Sequence, residues 1–265
     1  MKTRIISGAV MALIVGVILT VGYLWAPIVI TIAVALLAAG AVYEIIHNAA
    51  GITKKPVIIG ACIYAAITVL LGDWAFFPGV ITATVLYCIF AVIMILINHN
   101  EFDLGKISLV YGFPIPFAVA FYFLNVIINA NGGIYYLLLL LNFSCVCDMG
   151  AYFTGVTIGR HKLCPEISPK KTVEGAIGGI VSSLVFTLII SLLFKKFSIA
   201  VMLLTIPFCV LGMIGDLFAS AIKRSVGLKD YGNLIPGHGG IMDRLDSIIM
   251  IAPFMFVCIV WEVLI

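Results

Sequence analysis

The sequence predicts an all-α, polytopic integral membrane protein with about nine transmembrane helices, on three observations. Of the 265 residues, 63% are hydrophobic and only 10% are charged, a balance that soluble globular domains do not use. The apolar residues fall in continuous runs of about 20, the length a helix needs to cross the hydrocarbon of a bilayer. The runs lack the strict alternation of barrel strands, which sets aside the other architecture able to satisfy its backbone in lipid.

Taken in order, the runs cover 5–24, 27–46, 57–73, 76–97, 108–129, 134–156, 174–194, 198–222 and 243–264. The first follows Met1-Lys2-Thr3-Arg4 and resembles a signal peptide, but it is too long for one and lacks a small-x-small cleavage site, so it reads as a retained span. Trp25 and Pro27 mark the first break, an interfacial aromatic beside a helix-start proline. Pro114 and Pro116 fall within the fifth run and are expected to kink it.

With the N-terminus in the cytoplasm, Lys2, Arg4, Lys54, Lys55, Lys106, Arg160, Lys162, Lys170, Lys171, Lys223, Arg224, Lys229 and Arg244 all lie on the cytoplasmic side. Only Lys195 and Lys196 of the 15 Lys and Arg fall opposite. That asymmetry sets the orientation and puts the charge-rich loops 157–173 and 223–242 on one face. Two regions are expected: 1–130 as N-terminal scaffold helices, and 131–265 as a catalytic transmembrane region with a cytoplasmic-face site. The expected location is the cell inner (plasma) membrane.

The net charge of +3 says little as a total, and no nucleic acid is expected as a partner. The seven cysteines form no zinc pattern and mostly sit in apolar runs, where they act as small hydrophobes. The sequence contains no phosphate-loop, dinucleotide, zinc-protease or nucleophile-elbow motif.

Charge this close to hydrocarbon points to function, and residues 220–246 concentrate it. Asp216, Ser220 and Lys223 share one helix face, either as a ligand site or as a structural Asp216–Lys223 pair. Lys229 to Gly240 surrounds His238 with glycines, a backbone able to wrap an anion with its amides. Asp243 and Asp246 lie one turn apart at a helix start. The helix dipole favours them there, and the pair also suits Mg²⁺, which takes one or two carboxylates plus phosphate oxygens. Ser144, Asp148 and Tyr152 are spaced to share a face within the sixth span. Arg160-His161-Lys162 and Ser168-Pro169-Lys170-Lys171-Thr172 read as a phosphate cradle or as an anchor for anionic lipid heads.

The pattern Ser220-x-Ile222-Lys223-Arg224-x4-Lys229-Asp230-x-Gly232-x2-Ile235-Pro236-x-His238-Gly239-Gly240-Ile241-x-Asp243-Arg244-Leu245-Asp246 resembles the signature of the phosphatidate cytidylyltransferases, the CDP-diacylglycerol synthases. Cys147-Asp148-x2-Ala151-Tyr152 and Ile167 to Gly175 are similar to the bacterial members. Val156 departs from them, standing where a basic residue is expected. The resemblance implies transfer of the cytidylyl group of CTP to phosphatidate, giving CDP-diacylglycerol and pyrophosphate, with Mg²⁺ or another divalent cation. The nucleophile is then already an anion, and the difficulty is bringing two polyanions together.

On that reading Asp216 and Asp243 hold the metal, and Asp246 is a third ligand or orients one. Lys223, Arg224 and Arg244 hold the CTP triphosphate, Lys229 is a further substrate-binding residue, and Lys170 and Lys171 take the phosphatidate head or the pyrophosphate. Ser220 and His238 donate to phosphoryl oxygens, with His238 also able to protonate the leaving group. Asp148 is a cytidine contact or a structural partner. Membrane lipids are the surroundings, and a homodimer is a further expectation for which the sequence locates no interface. Two rivals stand: a CTP-dependent lipid-alcohol (polyprenol) kinase, which would release CDP, and an ion or solute transporter using Asp148 and Asp216.

Overall fold

The structure, a computed structural model, describes residues 2–234, 237 and 239–264. The chain divides into two compact units, Met1–Asn129 with Val226–Leu245, and Ala130–Ser225 with Asp246–Ile265.

The first unit is helical throughout its first part. α1 (Lys2–Leu24) ends at the Trp25–Pro27 break, and α2 (Ile28–Tyr43) runs on into a π-helical turn, Glu44–Ala49. α3 (Lys55–Ile97) has 43 residues. Straight, it would measure about 65 Å, roughly twice the hydrocarbon thickness. It does not run straight. Phe76 takes φ 54° and ψ −142°, with Pro78 just beyond. The two halves fold back on each other: Tyr64 stacks on Tyr87 with centroids 4.3 Å apart, and the Tyr64 hydroxyl lies 3.1 Å from that of Thr84. At the open end, Lys54 Nζ meets Glu101 Oε1 at 2.7 Å. The runs 57–73 and 76–97 are therefore the arms of one helical hairpin.

α4 (Leu104–Gly112) is capped by Asp103, which accepts from the Lys106 amide at 2.8 Å. It breaks at Phe113, and α5 (Pro114–Asn129) follows. The expected proline kink lies there, because Pro114 has no amide to donate back along the helix.

In the second unit, α6 (Gly133–Leu141) leads through a π-helical turn, Asn142–Val146, into α7 (Cys147–Ile158). A two-stranded antiparallel hairpin follows, β1 (Lys162–Cys164) and β2 (Ser168–Thr172), with Lys162 opposite Thr172 and Cys164 opposite Ser168. It is the only sheet among the described residues and was not expected from the sequence. α8 (Val173–Leu193) and α9 (Ile199–Ser225) come next. α10 (Met242–Val260) belongs to this unit from Asp246 onward.

α7 and α8 approach through small residues, as helices in lipid do when van der Waals contact drives them together. A methyl group on Gly179 would lie 2.6 Å from the Cys147 carbonyl oxygen, and one on Gly178 would overlap Thr154. A polar thread ties the π turn to its neighbours. The buried Asn142 donates to the Ser183 carbonyl at 3.0 Å and to Thr187 Oγ1 at 2.9 Å, and Thr187 in turn contacts Thr205 of α9 at 3.0 Å.

By length and composition, seven helices among the described residues could cross a membrane, with α3 counted once. α10 is not among the seven; it opens with Asp243, Arg244 and Asp246. Many large apolar side chains face outward, among them Leu13, Leu36, Leu96 and Leu193, as in a multi-pass protein whose solvent is lipid.

Replacing Gly179 with Leu should force α7 and α8 apart at a cost of about 1–3 kcal/mol, the range for overpacking, read as a lower thermal midpoint in detergent. Gly16→Leu, where an added methyl meets nothing within 4 Å, should leave the midpoint unchanged. Equal midpoints for the two would refute the close-packing account.

Candidate active site

The charged residues of the second unit converge at the end of α9. Asp216, Ser220 and Lys223 lie along one face, and the Ser220 hydroxyl donates to Asp216 Oδ1 at 3.4 Å. The partner of Asp216 is not Lys223. It is Lys171 of β2, whose Nζ stands 2.5 Å from Asp216 Oδ2. The structural alternative of an Asp216–Lys223 pair is thereby replaced by a bond across 45 residues of sequence.

Gly215 lets α10 come close: a methyl there would lie 2.8 Å from the Asp246 carbonyl oxygen. That approach brings the Asp246 carboxylate within the field of both Asp216 and Lys223. Asp148 of α7 feels Asp216 as a like charge and Lys171 as an opposite one. Three carboxylates and two ammonium groups thus share one neighbourhood, with Lys223 only 9% exposed.

Beside the cluster lies a cavity of about 600 Å³, lined among others by Asp148, Tyr152, Lys162, Lys170, Lys171 and Asp216. α7 and α8 approach closely beside it, where a methyl on Gly175 would come within 2.7 Å of the Ala151 carbonyl oxygen. Ser144, expected on one helix face with Asp148 and Tyr152, does not line the cavity as those two do. The π-helical turn intervenes, and Ser144 is buried at 4% exposure.

The hairpin that delivers Lys170 and Lys171 is fastened at its base. The Glu174 carboxylate accepts from the amides of Arg160 at 3.0 Å and His161 at 3.2 Å and lies 2.6 Å from His161 Nδ1. Thr172 caps α8 by accepting from the Gly175 amide at 3.1 Å. Arg224 is exposed at the end of α9.

The first unit holds the rest of the motif. Asp243 Oδ2 accepts from the amides of Tyr231 at 2.8 Å and Gly240 at 3.0 Å. Glu44 accepts from Ile241 through Oε1 and from Met242 through Oε2, both at 2.9 Å. Four amides of the glycine-rich loop are therefore taken by the chain's own carboxylates. The loop wraps anions as expected, but for these four the anions are internal. Lys229 and Arg244 are exposed in the same unit. His238 lies outside the described residues.

The structure thus brings together Asp148, Lys171, Asp216, Ser220, Lys223 and Asp246, with Lys170 on the cavity wall. Sequence reasoning missed Glu44 and the Lys171–Asp216 pair, whereas Lys162 of the expected cradle does line the cavity. A signal for Glu44 was present, since an acid inside an apolar run calls for a partner.

The fold and this site define a multi-pass membrane protein with a lysine- and aspartate-lined cavity suited to phosphorylated ligands. The chain belongs to the cytidylyltransferase family, whose model matches residues 2–261. It is similar to the phosphatidate cytidylyltransferase of Bacillus subtilis (strain 168), at 33% identity over 267 residues, covering 97% of this chain and 96% of that protein. The phosphatidate cytidylyltransferase of Staphylococcus haemolyticus is 34% identical over 195 residues, 71% of this chain and 72% of the relative. That of Staphylococcus saprophyticus reaches 43% over 131 residues, 48% and 50% of the two chains.

Removing the Glu174 carboxylate by Glu174→Ala should loosen the hairpin and speed trypsin cleavage at Arg160, Lys162, Lys170 and Lys171 severalfold in detergent. A cleavage rate equal to that of the parent chain would show that Glu174 does not fasten it.

Proposed function

We propose that the chain transfers the cytidylyl group of CTP to phosphatidate, releasing pyrophosphate and leaving CDP-diacylglycerol in the membrane. The observation that carries this reading is the cluster of Asp148, Asp216 and Asp246 with Lys171 and Lys223 beside a basic cavity, in a chain of the cytidylyltransferase family.

The phosphate of phosphatidate attacks the α-phosphorus of CTP, and the bond to the pyrophosphate oxygen breaks. The attacking group is already ionised, so the chain's task is to position two anions and offset their charge. Lys170 and Lys171 at the cavity wall take the lipid phosphate or the departing pyrophosphate. Lys223, Arg224, Lys229 and Arg244 hold the triphosphate. Ser220 and His238 donate to phosphoryl oxygens.

Mg²⁺ fits the donor chemistry. Among the described residues no three His, Cys, Asp or Glu side chains form a ready metal cage. Mg²⁺ does not need one, since it takes one or two carboxylates and fills its octahedron with phosphate oxygens and water. The carboxylates of Asp148 and Asp246 beside Asp216 favour a cation there. Asp216 would hold it with Asp243, the partner expected from the sequence, and with Asp246 as a third ligand or an orienting group. When bound, the ion would neutralise charge building on the phosphates.

The same reading has the N-terminus in the cytoplasm and nine crossings, with the two arms of α3 and α10 counted separately. The site faces the cytoplasm of the inner (plasma) membrane, where CTP is found and from which the acyl chains never depart. A homodimer is the assembly we expect.

Purified chain given cytosine-labelled CTP, short-chain phosphatidate and Mg²⁺ should move label into the lipid phase and release pyrophosphate, and EDTA should stop both. Asp216→Asn should lower turnover by about 10³-fold or more, as loss of a charge-stabilising group does, while the protein still inserts and elutes normally. Release of CDP with unlabelled lipid would instead mark a kinase, and near-normal turnover in Asp216→Asn would remove that residue from the mechanism.

A further inference from the structure

We propose that Glu44 is a positioning residue for this reaction, anchoring the start of α10 and through it Asp243 and Arg244. The role rests on the reading above and on the following geometry, all within the first unit.

The first amides of a helix have no acceptor within it, and a Ser, Thr, Asp or Asn just before the helix usually supplies one. α10 begins at Met242, and the residue before it is Ile241, whose side chain can accept nothing. Glu44, 197 positions earlier in the sequence, provides the acceptor instead. Each of its oxygens takes one amide, Ile241 and Met242, at 2.9 Å. The negative charge also meets the positive end of the α10 dipole. At 4% exposure, the carboxylate is bearable in apolar surroundings only because such donors answer it.

The loop is shaped around this acid. A methyl on Gly240 would overlap its carboxylate, and one on Gly232 would lie 2.6 Å from Oε1. Gly40, one turn before Glu44 on α2, leaves room for the Ile241 side chain, which a methyl there would overlap. One turn later Asn48 adds a second grip by donating Nδ2 to the Tyr231 carbonyl at 2.5 Å. Asp243 closes the arrangement from its own side, holding Tyr231 and Gly240 by their amides.

Glycine-rich backbone has the most conformational freedom to lose, so a loop carrying Gly232, Gly237, Gly239 and Gly240 cannot fix the helix that follows it by local preference. The external anchor supplies what the loop lacks. Met242, which Glu44 holds, is the immediate neighbour of Asp243, so slack at Glu44 passes directly to the residues assigned to metal and triphosphate.

The test uses the full chain in detergent as Glu44→Gln, Glu44→Asp, Gly240→Ala and the double variant Glu44→Ala/Gly240→Ala with its single Glu44→Ala parent. The readouts are kcat and KM for CTP, elution profile, and hydrogen exchange of the peptide 239–246. Glutamine turns an amide group toward an amide donor, and aspartate falls one methylene short but keeps the charge. Glu44→Gln should elute as the parent, exchange faster over 239–246, and lose about 10- to 100-fold in kcat, the effect of misplacing reacting groups by about 1 Å. KM for CTP should rise by less than kcat falls, and Glu44→Asp should recover part of the loss. Gly240→Ala should behave similarly. The double variant should lose less than the product of the two single losses, because removing the carboxylate makes room for the methyl.

Wild-type kcat and KM in a folded Glu44→Gln would overturn the proposal, as would activity loss that merely tracks loss of folded protein. An inactive parent chain would defeat the assigned reaction and not the anchor. In that case unchanged exchange at 239–246 in Glu44→Gln overturns the anchor, and faster exchange supports it.

Discussion

A carboxylate among apolar helices must be answered, and the chain's architecture follows from how each answer is made. Glu44 is answered by backbone amides and a helix terminus, Asp243 by loop amides, and Asp216 by a lysine ammonium. The answers to Glu44 and Asp216 recruit segments distant in sequence. The loop 226–245 is drawn to α2, and the β-hairpin is drawn to α9. In lipid, where burial of apolar side chains contributes little to holding helices together, such polar demands specify which elements belong side by side.

The second unit depends equally on what its residues lack. Gly178, Gly179 and Gly215 remove side chains where backbones must approach, and Asn142 fills the opening that a π-helical turn creates. That turn sits directly before α7. Wide turns of this kind occur often at functional positions because they re-aim the residues after them, and here the residue re-aimed is Asp148. A cavity floor of glycine backbone and a wall of lysines follow from one packing solution.

Much of this was legible in the chain. Hydropathy located the apolar helices, because an apolar run of fixed length has few options in a bilayer, and the prolines marked the break before Pro114. The face shared by Asp216 and Ser220 followed from helical periodicity. Other features were not legible, and for physical reasons. The Lys171–Asp216 pair is a tertiary contact that no local spacing encodes. The hairpin 162–172 is too short and polar to carry a strand pattern. Ser144 was expected beside Asp148 because a regular helix was assumed, and a π-helical turn has no reliable sequence mark. Glu44 was visible as an isolated acid in an apolar run, yet it stood far from the charged motif it serves. The two amides it binds belong to Ile241 and Met242, residues whose side chains give no hint of a polar role.

The bend at Phe76 also fixes a matter of parity. A single crossing at residues 55–97 would put everything after it on the opposite side of the membrane from everything before. Two crossing arms, with Lys54 meeting Glu101 at the open end, would add an even number of crossings and leave the sidedness of the remaining chain unchanged. One residue with a positive φ would then decide whether the basic loops after α3 emerge on the same surface as Lys54 and Lys55 or on the other.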